Sequence, residues 1–185
     1  MATFAMSEAL TIIIKGNDPS KAAKQISMTD LGSIKVSKEE TKQMAVTIPR
    51  SSILGFIVGV LPGAGATIAS FLAYGMERNF VKNEEKEKFG KGSVQGLSAP
   101  ETANNAACSG SFVPLLTLGI PGSGTTAVML GALLGFGIQP GPRLYETNPD
   151  IFWSVIMSMY IGMVVLLILN LPFIPYIARI LAVPR

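Results

Sequence analysis

The chain has 185 residues, an apolar fraction of 49%, only 15% charged residues and a formal net charge of +3. A mean hydropathy of +0.45 points to lipid rather than water, and so small a charge gives no basis for nucleic-acid binding. There is no histidine and one cysteine, Cys108, which excludes an internal disulfide, most zinc sites and histidine-based acid–base chemistry.

All but five of the charged residues lie at positions 1–50 or 77–101. The first 15 residues lack a basic n-region, and their apolar run is too short for a signal segment or a span. The chain therefore opens as an internal part of a longer protein would. Residues 1–50 read as a polar cytoplasmic segment with short helices, its lysines suited to the anionic inner leaflet. Residues 51–76 are an uncharged run broken near its middle. Each arm holds about 11 residues, half of a bilayer crossing. Basic residues flank both ends, which favours a re-entrant hairpin over a single crossing.

Residues 77–101 read as a cytoplasmic loop. The next uncharged run, 102–142, would make about 60 Å of straight helix, twice the hydrocarbon thickness. It must therefore be interrupted, with breaks expected at Pro114 and at residues 121–124. A short connection, 143–150, leads to a third run over 151–178. Asn148 is a candidate N-cap there, with Pro149 at N1, Asp150 in the first turn and Trp153 at the interface. Arg179 then returns the chain to the cytoplasm. The expected fold class is an all-α integral membrane protein of broken and re-entrant helices, part of a transporter with internal repeats.

The two interruptions carry nearly the same residues. Leu61-Pro62-Gly63-Ala64-Gly65-Ala66-Thr67 matches Ile120-Pro121-Gly122-Ser123-Gly124-Thr125-Thr126, 59 positions later. Paired breaks of this kind are the best sequence pointer to a transporter's binding site. Proline ends a helix, and glycines permit positive φ and close approach. The helix that resumes presents free N–H groups and a positive dipole end, which suits a carboxylate. Carbonyls freed before the break suit a small cation, and Thr67, Ser123, Thr125 and Thr126 supply hydroxyls to either ligand. A plain kinked helix with packed glycines is the structural alternative.

Other motifs are weaker. The run from Gly119 to Thr126 lacks the lysine of a phosphate-binding loop, and Gly63-Ala-Gly65 lacks the third glycine of a dinucleotide fingerprint. Ser98 and Glu101 have capping-box spacing around Pro100. Glu101 could instead face a cation or proton path, and Asn104 and Asn105 could bind substrate, ligate sodium or join helices. A sodium site would fall near Gly63, Gly122, Asn104 and Glu101. Gly131, Gly135 and Gly137 read as a close helix contact, Cys108 as a small packed side chain, and Met157, Met159 and Met163 as packing or lipid-facing. A membrane hydrolase using Ser123 or Ser109 would lack a histidine, and no Lys or Asp in the same run could activate the serine.

Taken together, Val60-Leu-Pro-Gly-Ala-Gly-Ala-Thr, Phe89-Gly-Lys-Gly, Pro100-Glu-Thr-Ala-Asn-Asn, Leu118-Gly-Ile-Pro-Gly-Ser and Gly137-Ile-Gln-Pro-Gly-Pro resemble the large membrane subunit of tripartite tricarboxylate transporters (TctA-type). The resemblance covers residues 4–184 and keeps the motif order. It implies a non-enzymatic, multi-pass subunit in a bacterial inner membrane. Its function would be secondary active uptake of tricarboxylates or related carboxylates, coupled to sodium or protons and using no cofactor. A periplasmic substrate-binding protein and a small membrane subunit are the implied partners. A purely structural helical-bundle component is the rival reading.

Overall fold

The computed structural model describes residues 36–181, with side chains through residue 174. Expectations for residues 1–35, and for the side chain of Arg179, lie outside the described residues. Two compact units divide the chain, one of residues 35–161 and a second that includes residues 162–185. Among the described residues every regular element is helical: α1 (Lys38–Val60), α2 (Gly65–Phe80), α3 (Asn83–Lys86), α4 (Val94–Gly110), α5 (Phe112–Leu118), α6 (Gly124–Gly135), α7 (Leu144–Thr147) and α8 (Pro149–Leu181).

Helix α1 starts earlier than the apolar pattern indicates. Ser37 caps it, its Oγ accepting from the Glu40 amide at 3.2 Å while its own amide donates to Glu40 Oε2 at 2.7 Å. This reciprocal box carries the helix straight from the polar segment into the uncharged run, through Pro49. Proline at 49 removes one donor, yet the flanking turns hold the helix together.

Helices α1, α2 and α4 form the core of the first unit. Gln95 reaches Thr47 across a separation of 48 positions, and the same offset relates Gly55 to Ala103 and Gly59 to Ala107. A constant offset means that α1 and α4 run parallel. Thr47 meets Glu77, and Ser70 meets Pro100 and Asn104, so α2 runs antiparallel to both. The buried cluster is Val58, Ala69, Ala73, Ala99, Ala103 and Ala107. Small side chains at four-residue spacing let the backbones approach closely.

That close approach involves other glycines than those expected. A Cβ on Gly55 or Gly59 would overlap the backbone of Ala103 or Ala107, and one on Gly110 would lie 2.5 Å from the Phe56 carbonyl oxygen. By contrast, no described residue lies within 4 Å of a Cβ placed on Gly131, Gly135 or Gly137.

Three further expectations need correction. Ser98 does not cap α4: Ser93 does, accepting from the Gly96 amide at 3.0 Å. Gly90 and Gly92 take positive φ just upstream, which frees Ser93 to start the helix early and places Pro100 in its interior. The break near Pro114 falls at Ser111, between α4 and α5. Proline 114 cannot donate to the Gly110 carbonyl, and its ring crowds that oxygen, so the helix parts there. The stretch 77–101 is also mostly helical, with α2 continuing to Phe80 and α4 starting at Val94.

Helix α8 begins at Pro149 with Asp150 in its first turn, where a negative charge complements the dipole. Trp153, Met157, Met163, Leu167 and Phe173 are all exposed along it. By length and composition, Lys38–Val60 and Pro149–Ile174 are each apolar enough to cross a membrane.

Candidate functional site

Helix α1 ends at Val60 because Leu61 turns extended, with φ −77° and ψ 116°, and Pro62 cannot continue the ladder. Gly63 and Gly65 then adopt φ of +84° and +70°, which glycine alone takes without cost. The chain reverses, and α2 leaves with Ala64 at its N-cap and no side-chain cap. Its first-turn N–H groups therefore have no partner within the helix or from a capping side chain.

The second break is built differently. Gly119 ends α5 in the left-handed region, and the loop returns to the break between α4 and α5. A Cβ on Gly122 would lie 3.1 Å from Ser111 Cβ and 3.5 Å from the Gly59 carbonyl oxygen. Ser123 then caps α6: its Oγ accepts from the Thr126 amide at 3.2 Å, and its amide donates to Thr126 Oγ1 at 2.8 Å. This box occupies one first-turn donor and leaves those of Gly124 and Thr125 directed out of the helix end. Ser123→Ala is expected to destabilise the start of α6 by about 1 kcal/mol, seen as faster hydrogen exchange at its N-terminal amides.

The two breaks meet around one cavity of about 680 Å³. Gly63, Gly65 and Thr67 line it from the first break, and Pro121, Gly122, Ser123, Gly124 and Thr125 from the second. Among the described residues no charged one contributes to its wall. Its field therefore comes from backbone dipoles at two helix N-termini, joined by the Thr67 and Thr125 hydroxyls, while that of Ser123 is engaged in the α6 cap.

Four of the expected site residues lie apart from this wall. Pro62 is exposed at the turn, and Thr126 is buried within the α6 cap. Asn104 Nδ2 reaches Ser70 Oγ at 3.4 Å, joining α4 to α2, and Asn105 Nδ2 donates to the Glu101 carbonyl at 2.9 Å. Glu101 is exposed. Only Gly63 and Gly122 of the expected sodium group share the cavity. Among the described residues no cluster of three or more His, Cys, Asp and Glu could hold a metal. The serines considered as nucleophiles are tied locally, Ser123 in the cap and Ser109 Oγ to the Asn105 carbonyl at 3.3 Å.

Sequence reasoning missed Ala66, Cys108, Phe112 and Ala127, which also line the cavity. Cys108 is exposed rather than packed. Its position one turn before the α4 break, about 100° around the helix from buried Ala107, is the signal that could have placed it.

The model of the tripartite tricarboxylate transporter TctA family matches residues 1–185. An uncharacterised 52.8 kDa protein in the TAR-I ttuC' 3' region of Agrobacterium vitis is 46% identical over 149 residues, covering 80% of this chain and 29% of that protein. An uncharacterised protein in the TAR-II ttuC' 3' region of the same organism is 47% identical over 130 residues, covering 70% of this chain and 53% of that protein. The chain thus spans about a third and about half of the lengths of these curated relatives. No solved structure matches. With every residue matched by the family model and the paired breaks closing on one cavity, the chain belongs to the tripartite tricarboxylate transporter TctA family.

Proposed function

We propose that this chain forms the carboxylate-binding part of the membrane subunit of a secondary active transporter in a bacterial inner membrane. The substrate is a tricarboxylate or a related carboxylate, taken up with sodium or protons. A periplasmic binding protein delivers it, and a small membrane subunit completes the assembly, as the tripartite family name implies.

The observation that carries this reading is the convergence of two helix N-termini, α2 and α6, on one cavity with an uncharged wall. Backbone donors can hold a carboxylate strongly enough for binding, yet without the fixed countercharge that would oppose release. A di- or tricarboxylate entering such a wall needs cations or protons to accompany it, which is the logic of symport.

The path of the first hairpin supports a site at mid-membrane. Arg50 and Glu77 bracket the uncharged run and lie together, with Arg50 Nη1 3.3 Å from Glu77 Oε2. Both ends of the run thus share one level, as in a segment that dips in and returns. From Ser51 to Val60 the helix advances about 15 Å, half the hydrocarbon thickness. Length alone would let α1 cross, but its antiparallel pairing with α2 favours the re-entrant path.

The test is uptake of labelled tricarboxylate by the full-length subunit with its partner proteins. Thr67→Val and Thr125→Val are each expected to lower uptake about tenfold or more at subsaturating substrate, with membrane insertion intact. Unchanged uptake in both would remove the cavity from the transport path. Replacing sodium with choline at fixed pH separates the two coupling ions: lost uptake assigns sodium, retained uptake assigns protons.

A further inference from the structure

We propose that Arg50 and Glu77 form a clasp at the base of the α1–α2 hairpin that sets the geometry of the cavity at its tip. Glu77 is 1% exposed, deep between three helices. Its Oε1 accepts from Thr47 Oγ1 of α1 at 2.8 Å and from Gln95 Nε2 of α4 at 3.4 Å. Its Oε2 lies 3.3 Å from Arg50 Nη1, an ion pair without hydrogen-bond alignment. The guanidinium in turn sits 4.6 Å from the Phe80 ring centroid, so a cation–π contact closes the cluster.

This is the one place, among the described residues, where side chains of α1, α2 and α4 are joined by polar contacts. Arg50–Glu77 is also the one ion pair between helices there; the other, Lys88–Glu85, is local. Elsewhere the three helices meet mainly through Gly and Ala, with Val58 and Leu54 as the larger side chains. Such faces pack closely but carry few protruding side chains to oppose rotation or sliding. Register then depends on directional contacts. Among the described residues, the polar side-chain contacts of Ser70 with Pro100 and Asn104 join α2 to α4, and those of the base cluster join α1 to both. The cavity wall draws on the α2 start and on Cys108 of α4, while Gly122 rests against Gly59 of α1. A shift of α1 against the other two therefore reshapes the wall. Arg50 and Glu77 act through the helices, about 15 Å from the tip, and are positioning residues.

The inference rests on the cavity being the ligand site, but its test needs no ligand. The readout is the alkylation rate of Cys108 by N-ethylmaleimide in membranes containing the full-length subunit, its other cysteines replaced. Arg50→Gln and Glu77→Gln are each expected to change that rate about threefold or more. Arg50→Lys keeps the charge and stays near the wild-type rate. Arg50→Gln also strands a buried carboxylate and lowers protein level. The double variant R50Q/E77Q buries no charge: its protein level recovers while its alkylation rate stays altered. Recovery of level and rate together would reduce the pair to a stability element and overturn the proposal. A wild-type rate in both single variants would overturn it as well. If the clasp result holds but carboxylate never protects Cys108, the transport reading fails and the clasp stands.

Discussion

Leucine at Gly59 is expected to prevent the three-helix core from forming. A methyl group there already overlaps the Ala107 backbone, and a backbone cannot rotate aside as a side chain can. Gly59→Ala should lower stability by about 1–3 kcal/mol, and Gly59→Leu by more, because overpacking forces whole helices apart. Gly55, against Ala103, should behave alike. The measurement is the amount of protease-resistant protein in membranes, with the unfolding midpoint of purified material. Gly131→Ala and Gly135→Ala are the controls. Both residues lie within α6 with open space at the Cβ position, so helix propensity should leave stability unchanged or raise it by up to about 1 kcal/mol. Normal accumulation and melting of Gly59→Leu would contradict the parallel packing of α1 on α4.

The second large effect is expected at the first break. Gly63 and Gly65 hold φ of +84° and +70° with no described residue within 4 Å of a Cβ. A Cβ at either site would therefore meet no clash, yet valine would still have to take the left-handed backbone, at about 1–2 kcal/mol. The turn would relax and re-aim the α2 N-terminus. A misplacement near 1 Å at a positioning element can cost about a hundredfold in rate. Gly65→Val should therefore reduce uptake far more than protein level. Gly75→Val tests the backbone argument, because Gly75 is helical, with equally open space around its Cβ and no positive φ. Equal loss of uptake in both variants would show that side-chain bulk, rather than backbone geometry, is responsible.

Much of the site was legible because its signal is local. A proline that cannot donate and glycines that allow positive φ mark both breaks wherever the chain folds. Their near-identity over Leu61-Pro62-Gly63 and Ile120-Pro121-Gly122 made a shared cavity the natural expectation. The asymmetry between them was not legible. Serine at 123 caps α6, where the equivalent Ala64 leaves α2 uncapped, and only the geometry shows the hydroxyl turned into the helix end.

Longer-range features were harder to read. Gly55 and Gly59 sit among larger apolar residues and look no different from Gly131 and Gly135. What separates them is the neighbour they meet, 48 positions away. The paired amides left substrate binding, sodium ligation and helix joining open for a similar reason: Asn104 joins Ser70 of another helix, and Asn105 bonds within its own helix. The base cluster was invisible because Arg50 and Glu77 each read as the boundary of an uncharged run. Their meeting follows from the hairpin, and the hairpin follows from the break.

The most direct test of the whole account is protection of Cys108, which lines the cavity between the two breaks. Alkylation would be followed in membranes of the full-length subunit across a range of tricarboxylate concentrations. Slowing of the reaction, half-maximal near the concentration that half-saturates uptake and absent with a neutral analogue, is the predicted result. An alkylation rate unchanged at concentrations that saturate uptake would place the transported anion elsewhere.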